Sequence, residues 1–222
     1  MKNKYFTSET IDNKSQKMLQ KLEKYRKRNQ IDFLAERSAL LILDMQKYFL
    51  DERSHACVPS ALSIVPKIKK LADTFHDMNL PVFFTRHINI KENAKMMASW
   101  WEELLTEKND LSEIISELEM KNSMIIKKTQ YDGFYQTRLE SILKEKKINQ
   151  LVITGVMTHL CCETTARSAF VRGFTVFFPI DGTATYNENF HWGTLLNLSH
   201  GFAVPVLAND LQNKLKAFKN GQ

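Results

Sequence analysis

Three residues in this chain have the types needed for nucleophilic attack on a carbonyl-like carbon: Asp44, Lys128 and Cys161. Cys161 follows the apolar run Leu151–Ile153 and a break at Gly155. It precedes Ala166, Ala169 and Phe170, whose spacing predicts a helix with Gly173 in the position of a C-terminal cap. A thiol at a helix start lies near unpaired N–H groups and a partial positive charge, which favour the thiolate. Asp44 ends the run Ala39–Leu43, and Lys128 ends a run through Ile126 and Lys127. If these runs are parallel strands of one sheet, their carboxyl ends share one rim, where open α/β sheets form their pockets. A carboxylate there can take the thiol proton, and an ammonium can stabilise both anions. Singly, an aspartate after a strand is often a helix cap, a lysine beside Lys127 is usually solvated, and a buried cysteine is usually inert. Their joint occurrence at three strand ends of one rim is what points to chemistry.

The elements that must position them are legible. Strands are expected at Ala39–Leu43, Pro81–Thr85, Ser123–Lys127, Leu151–Thr154, Thr175–Pro179 and Ala203–Leu207. Helices are expected at Ile64–Met78, Leu111–Leu118, Thr137–Lys146, Thr164–Arg172 and Trp192–Leu198. Continuous apolar strands separated by helices imply a mostly parallel, six-stranded sheet covered on both faces. The stretch His87–Thr106 contains Met96, Met97, Trp100 and Trp101, reads as either helix or loop, and is long enough to cover a site.

At 222 residues and 43% apolar content, the chain suits one large α/β domain. No stretch has the make-up of a secretory signal or a membrane span. Three cysteines, two of them adjacent, do not form a disulfide framework, so a reducing, cytoplasmic setting is expected. The net charge of +6 is confined to residues 1–30, which carry nine Lys/Arg against three Asp/Glu, while the remainder balances at 22 against 22. In that arm Ile11, Met18, Leu19, Leu22 and Tyr25 recur at helical spacing with basic residues between them. An amphipathic helix packed on the body or on a second subunit is expected; an acidic partner, RNA or a membrane surface is the alternative. No zinc-ligand spacing or RNA-binding aromatic signature accompanies the arm, so nucleic acid and membrane are not expected partners. The chain thus divides into a basic arm, 1–30, and a catalytic domain, 31–222.

The residues resemble the isochorismatase-like cysteine hydrolases, whose members include nicotinamidases and N-carbamoylsarcosine amidohydrolase. The resemblance covers roughly Arg37 to Leu211. It rests on Ala39-Leu-Leu-Ile-Leu-Asp-Met-Gln46 with Tyr48-Phe49-Leu50, on Pro81-Val-Phe-Phe-Thr-Arg-His87, and on Lys128-Thr-Gln-Tyr-Asp-Gly-Phe134. Its strongest part is Gly155-Val-Met-Thr-His-Leu-Cys161 with Thr164-Thr-Ala166. Asp181-Gly-Thr-Ala-Thr185 and Leu195–Phe202 also fit. The resemblance implies a three-layer, Rossmann-like α/β fold and a catalytic set of Asp44, Lys128 and Cys161. It also implies a non-proline cis peptide at Val156–Met157 and an oxyanion hole from the N–H groups of Met157 and Cys161. The implied reaction is hydrolysis of an amide or carbamoyl C–N bond of a small molecule through a thioester, by a homo-oligomer, dimer or tetramer. Expected pocket residues are Gln46, Phe49, Arg86, His87, Trp100, Trp101, Tyr131 and Phe134, with Arg86 either facing a carboxylate of the substrate or serving an ion pair. Exchange of Asp44 for asparagine is expected to stop turnover while sparing the fold.

Departures from the family pattern bear on chemistry. Nicotinamidases carry an Asp-x-His metal motif and a further histidine after the second strand. This chain has Arg86-His-Ile-Asn-Ile-Lys91 there, so no metal or other cofactor is expected, and His87 reads as a pocket or structural histidine. Siderophore-pathway isochorismatases have Gly where this chain has Cys161. The thiol therefore favours amide hydrolysis over vinyl-ether cleavage of isochorismate, which stays as the alternative beside a non-catalytic binding protein. Cys162 is expected in the core, or as a resolving thiol for an oxidised Cys161. The family's usual Tyr-Ser-Ala-Phe appears as Tyr131-Asp-Gly-Phe134, adding a carboxylate near the pocket.

Overall fold

The computed structural model describes residues 1–28, 31–101 and 103–221. The arm's last two expected residues, 29 and 30, lie outside this description.

The strands are β1 (Ser38–Leu43), β2 (Val82–His87), β3 (Met124–Lys128), β4 (Gln150–Val156), β5 (Thr175–Pro179), β6 (Thr183–Ala184) and β7 (Val204–Val206). All pairings between them are parallel, in the order β3-β2-β1-β4-β5-β7, with β6 paired to the end of β4 at Gly155 and Val156. The sheet therefore has seven strands rather than six. β6 was missed because two residues carry no readable period. Central strands β1 and β4 are buried along their whole length. That is why they read as unbroken apolar runs.

The helices are α1 (Ile11–Lys21), α2 (Glu23–Arg28), α3 (Lys47–Leu50), α4 (Ala61–Asp77), α5 (Lys91–Ala94), α6 (Met97–Trp100), α7 (Leu139–Glu145), α8 (Glu163–Val171), α9 (Glu188–Gly201) and α10 (Ala208–Asn220). From β1 the chain crosses through α4 to β2, and from β4 it crosses through α8 to β5 in the opposite direction along the sheet. Right-handed crossovers then put α4 and α8 on opposite faces. α10 packs against α4, and α9 packs against α8 and β7. Strand order reverses between β1 and β4, so the pocket rim lies at their carboxyl ends.

Two expectations about helices are corrected. The stretch Leu111–Leu118 is not a helix: a short 3₁₀ turn at Asp110–Ser112 runs into extended chain, where Ile114 bridges Gln46. Its backbone pairs with the segment after β1, through Lys47 N–H to Glu113 O and Ile115 N–H to Met45 O, and this tertiary pairing overrides the helical spacing. α10 was not anticipated, although Ala208, Leu211 and Leu215 bury one helical face. The ambiguous stretch after β2 contains the short helices α5 and α6.

The arm packs on the body of its own chain. α1 buries Ile11, Ser15, Met18 and Leu19, and Leu22 beyond it is fully buried. Lys14 pairs with Glu188 at 2.9 Å, and Lys67 of α4 pairs with Asp12. Among the described residues no helix is long and apolar enough to cross a membrane.

Candidate active site

Asp44 directly follows β1, with a left-handed backbone (φ 51°) that aims its side chain into the rim. Its Oδ1 accepts from the Thr85 hydroxyl at 2.5 Å, and its N–H donates to the same hydroxyl oxygen at 3.0 Å. Thr85, buried on β2, thereby fixes the carboxylate; nothing in the sequence distinguished it from a strand core residue. Oδ2 lies 2.8 Å from Lys128 Nζ, and neither side chain has any exposure. Oδ2 accepts no hydrogen bond of good geometry from any described residue, so a lone pair is open toward the thiol.

Lys128 ends β3 and reaches across β2. Its ammonium lies 3.3 Å from Cys161 Sγ, donates to Gln130 O at 2.9 Å, and sits 3.4 Å from His87 Nδ1. The thiol is carried by a π-turn, Thr158–Cys162, entered through a cis peptide at Val156–Met157. β1 and β4 meet with Leu43 opposite Gly155. A Cβ on Gly155 would lie 2.0 Å from Leu43 O, so only glycine permits this approach. The two strands that carry Asp44 and the cysteine turn are thus held against each other at that point.

Burial pushes the Asp44 carboxyl up, but the Lys128 charge, His87 and the hydrogen-bonding groups of Cys161 and Lys128 together outweigh it and hold the group below the usual carboxylate range. Burial works against the Lys128 charge, yet Asp44 and Cys161 together raise the ammonium to about 12. Burial, reinforced by Asp44, pushes the Cys161 thiol up to about 12 against the opposing pull of Lys128. The resting site is therefore carboxylate, ammonium and thiol. This reverses the expectation that a helix start would favour the thiolate: α8 begins only at Glu163, and burial with Asp44 outweighs Lys128.

A cavity with about 60 Å³ of water-accessible space opens beside Cys161. Of the expected pocket residues, Phe49, His87, Trp101 and Tyr131 line it, together with Met157 and Cys161. Trp101 Nε1 donates to the Tyr131 hydroxyl at 2.7 Å, closing one wall. Four expected residues lie elsewhere. Gln46 is buried behind the site, where its amide donates to His87 O and Ser112 O and accepts from His87 N–H, pinning the end of β2. Arg86 turns to Ser112 O, Glu113 and Glu107, which decides for its ion-pair reading. Trp100 is 73% exposed. Phe134 stacks on Phe174 in the core, its ring centroid 5.8 Å away. Asn89, Met97 and Glu103 also line the cavity and come from the stretch His87–Thr106 expected to cover a site, whereas Tyr48, His55 and Tyr186 join it from segments distant in sequence.

His87 Nε2 meets Asn89 Oδ1 at 2.7 Å, while Asn89 Nδ2 donates to Thr129 O. The asparagine oxygen thus takes the Nε2 proton, leaving Nδ1 to face the Lys128 ammonium. Burial, then the Lys128 charge, lowers His87 to about 4, so it is neutral at pH 7. Both ring nitrogens of His87 are engaged, and among the described residues no group of three or more His, Cys, Asp or Glu side chains is arranged to hold a metal ion. Cys162 is fully buried, its Sγ 4.0 Å from Thr154 O, in the core position expected for it.

The isochorismatase-domain family model matches residues 38–210. A nicotinamidase 3 of Arabidopsis thaliana is 37% identical over 183 residues, covering 80% of this chain and 88% of that protein. Enterobactin synthase component B of Escherichia coli is 32% identical over 188 residues, covering 82% of this chain and 66% of that one. Among solved structures, a cysteine hydrolase from Pseudomonas syringae superposes with a TM-score of 0.78 at 21% identity, over 85% of this chain and 96% of that one, a likeness of fold. A domain match spanning most of the chain places this protein in the isochorismatase family of hydrolases.

Proposed function

We propose that this hydrolase cleaves an amide or carbamoyl C–N bond of a compact, uncharged or cationic small molecule, with Cys161 as nucleophile. One observation carries the reading: a thiol on the cavity wall, 3.3 Å from an ammonium that itself lies 2.8 Å from a buried carboxylate. Asp44 takes the proton from Cys161, and the sulfur attacks the carbonyl carbon to form a C–S bond. Lys128 keeps Asp44 anionic beforehand and stabilises the sulfur anion as it forms. The N–H groups of Met157 and Cys161 receive the developing oxyanion, an interaction worth about 3–4 kcal/mol per donor in comparable sites. Asp44 returns the proton to the leaving nitrogen, the C–N bond breaks, and water releases the acid from the thioester. The Arabidopsis nicotinamidase relative supports C–N chemistry.

The alternative, vinyl-ether hydrolysis of isochorismate, draws support from the enterobactin relative. Isochorismate carries two carboxylates. No lysine or arginine is among the described residues lining the cavity, whereas Glu103 is. Arg86, which could have received a carboxylate, is engaged away from it. A panel of primary amides, carbamoyl compounds and isochorismate decides the matter: ammonia release is expected, and pyruvate release with no ammonia from any member overturns the reading. The reading extends to a homo-oligomer in the cytoplasm, supported by three free cysteines and by exposed Phe170, Val171 and Phe190.

The pH profile follows from His87. As pH falls toward 4, a second positive charge arises 3.4 Å from Lys128 Nζ and competes for Asp44. kcat/KM on the best amide is expected to stay level from pH 8 to about 5 and to fall as pH approaches 4. Stability follows a different window. An unfolded histidine titrates near 6.5, so below that pH the unfolded chain binds the proton first. The urea midpoint should decline between pH 6.5 and about 4, the His87 contribution then being fully lost. A midpoint unchanged across this range would contradict a buried neutral His87.

A further inference from the structure

The first six residues, ahead of α1, do not simply trail over the surface. Tyr5 and Phe6 donate their backbone N–H groups to Ser60 Oγ, both at 3.0 Å, and both rings are buried. The Tyr5 hydroxyl accepts from Thr185 N–H at 3.1 Å, just after β6, and lies beside the Thr158 hydroxyl. Thr158 is the first residue of the π-turn that carries Cys161, and its hydroxyl meets His191 Nδ1 at 3.1 Å. His191, against which both the Tyr5 and Phe6 rings pack, is kept neutral by burial. Tyr5, Thr158 and His191 thus form one buried cluster, in which the two rings of the first six residues back the side chain that meets the start of the nucleophile turn. Three further contacts reach the cavity wall. Asn3 N–H donates to Tyr186 O at 2.8 Å, and the Lys2 ammonium lies over the Tyr186 ring and donates to His55 O. Tyr186 and His55 both line the cavity.

We propose that residues 1–6 form a positioning strap of the active site, in which Tyr5 sets the nucleophile turn through Thr158 while Lys2 and Asn3 hold the Tyr186 and His55 wall. The inference rests on the reading of Cys161 as nucleophile. The sequence had given the arm a packing role remote from chemistry, because every reactive side chain lies beyond it; α1 fits that role and the strap does not. The physical reason is placement: a buried cluster that backs the start of a turn fixes that turn's orientation, whereas an apolar helix face on the outer layer only adds stability.

The test compares Tyr5→Phe with Leu19→Ala. Tyr5→Phe keeps the ring against His191 and removes only the hydroxyl. It is expected to slow both iodoacetamide alkylation of Cys161 and kcat on the fastest amide by about fivefold to tenfold, with KM nearly unchanged. Leu19→Ala, on the buried face of α1, should lower the melting temperature more and leave both rates alone. Thr158→Val should reproduce the Tyr5→Phe effect and Thr158→Ser should restore the rates, which keeps the question open to decision if Tyr5→Phe fails to fold. Lys2→Ala should raise KM without touching kcat. Wild-type alkylation and turnover in both Tyr5→Phe and Thr158→Val would overturn the proposal, as would equal rate losses in Leu19→Ala. Alkylation needs no substrate, so a failure of the amide reading would show separately, as a labelled Cys161 with no ammonia released.

Discussion

Asp44→Asn is expected to lower turnover on the best amide by about 10³-fold or more, and also to destabilise the fold by about 3–5 kcal/mol. The rate loss follows because an amide can neither take the thiol proton nor return it to the leaving nitrogen, while burial still holds the Cys161 thiol up. The stability loss follows from burial, which near-isosterism between Asn and Asp does not address. Lys128 and Asp44 have no exposed side-chain surface, so removing the anion strands an ammonium in the interior. Its remaining contacts, Gln130 O and the Cys161 sulfur, do not neutralise it. The expectation from sequence that this exchange would spare the fold is therefore withdrawn. Asp44→Asn/Lys128→Met should recover most of the urea midpoint while remaining inactive, which separates chemistry from stability. A single variant with near wild-type rate would reduce Asp44 to a structural partner of Thr85 and end the proposed mechanism.

Gly155→Ala should abolish the native fold or leave it barely populated. The added Cβ would stand 2.0 Å from Leu43 O and 2.7 Å from Leu43 N, both backbone atoms of the neighbouring central strand, at φ +107°. Backbone strain and the forced separation of β1 from β4 together cost about 4 kcal/mol or more, a large share of the stability of a typical domain. Gly173→Ala supplies the control. It shares a positive φ of +85°, but nothing lies within 4 Å of its added Cβ, so about 1–2 kcal/mol is expected. Urea midpoints for the two variants should differ widely. Equal midpoints would mean that the sheet relaxes around the methyl group and that the close approach at Gly155 is not needed.

The two effects are linked through the sheet. Gly155 sets how closely β4 lies against β1, and the residues that follow each strand are the two reacting partners. Hydrogen-bonded register transmits this spacing rigidly, so a change on the strand is felt at the rim.

What the sequence determined by itself was whatever depends on local pattern. Unbroken apolar runs gave β1, β4 and β5, because strands covered on both faces have no polar side to show. The strand ends then placed Asp44, Lys128 and Cys161 on one rim, since parallel strands share one direction. The arm's helical stripe was readable for the same reason, and so was Gly173 at the end of α8. Tertiary structure decided what depends on surroundings. It turned Leu111–Leu118 into extended chain by pairing it with the segment after β1. It drew Arg86 to Glu107 and Glu113 and left Trp100 in solvent, although each had a type suited to a pocket. It assembled the cavity from Tyr48, His55, Asn89, Glu103 and Tyr186, which share no motif. It also decided the proton's resting place, because a thiol's ionisation depends on desolvation and on the distance to Asp44 and Lys128. Side-chain type and spacing are properties of the chain, whereas burial, partner and orientation are properties of the packed interior.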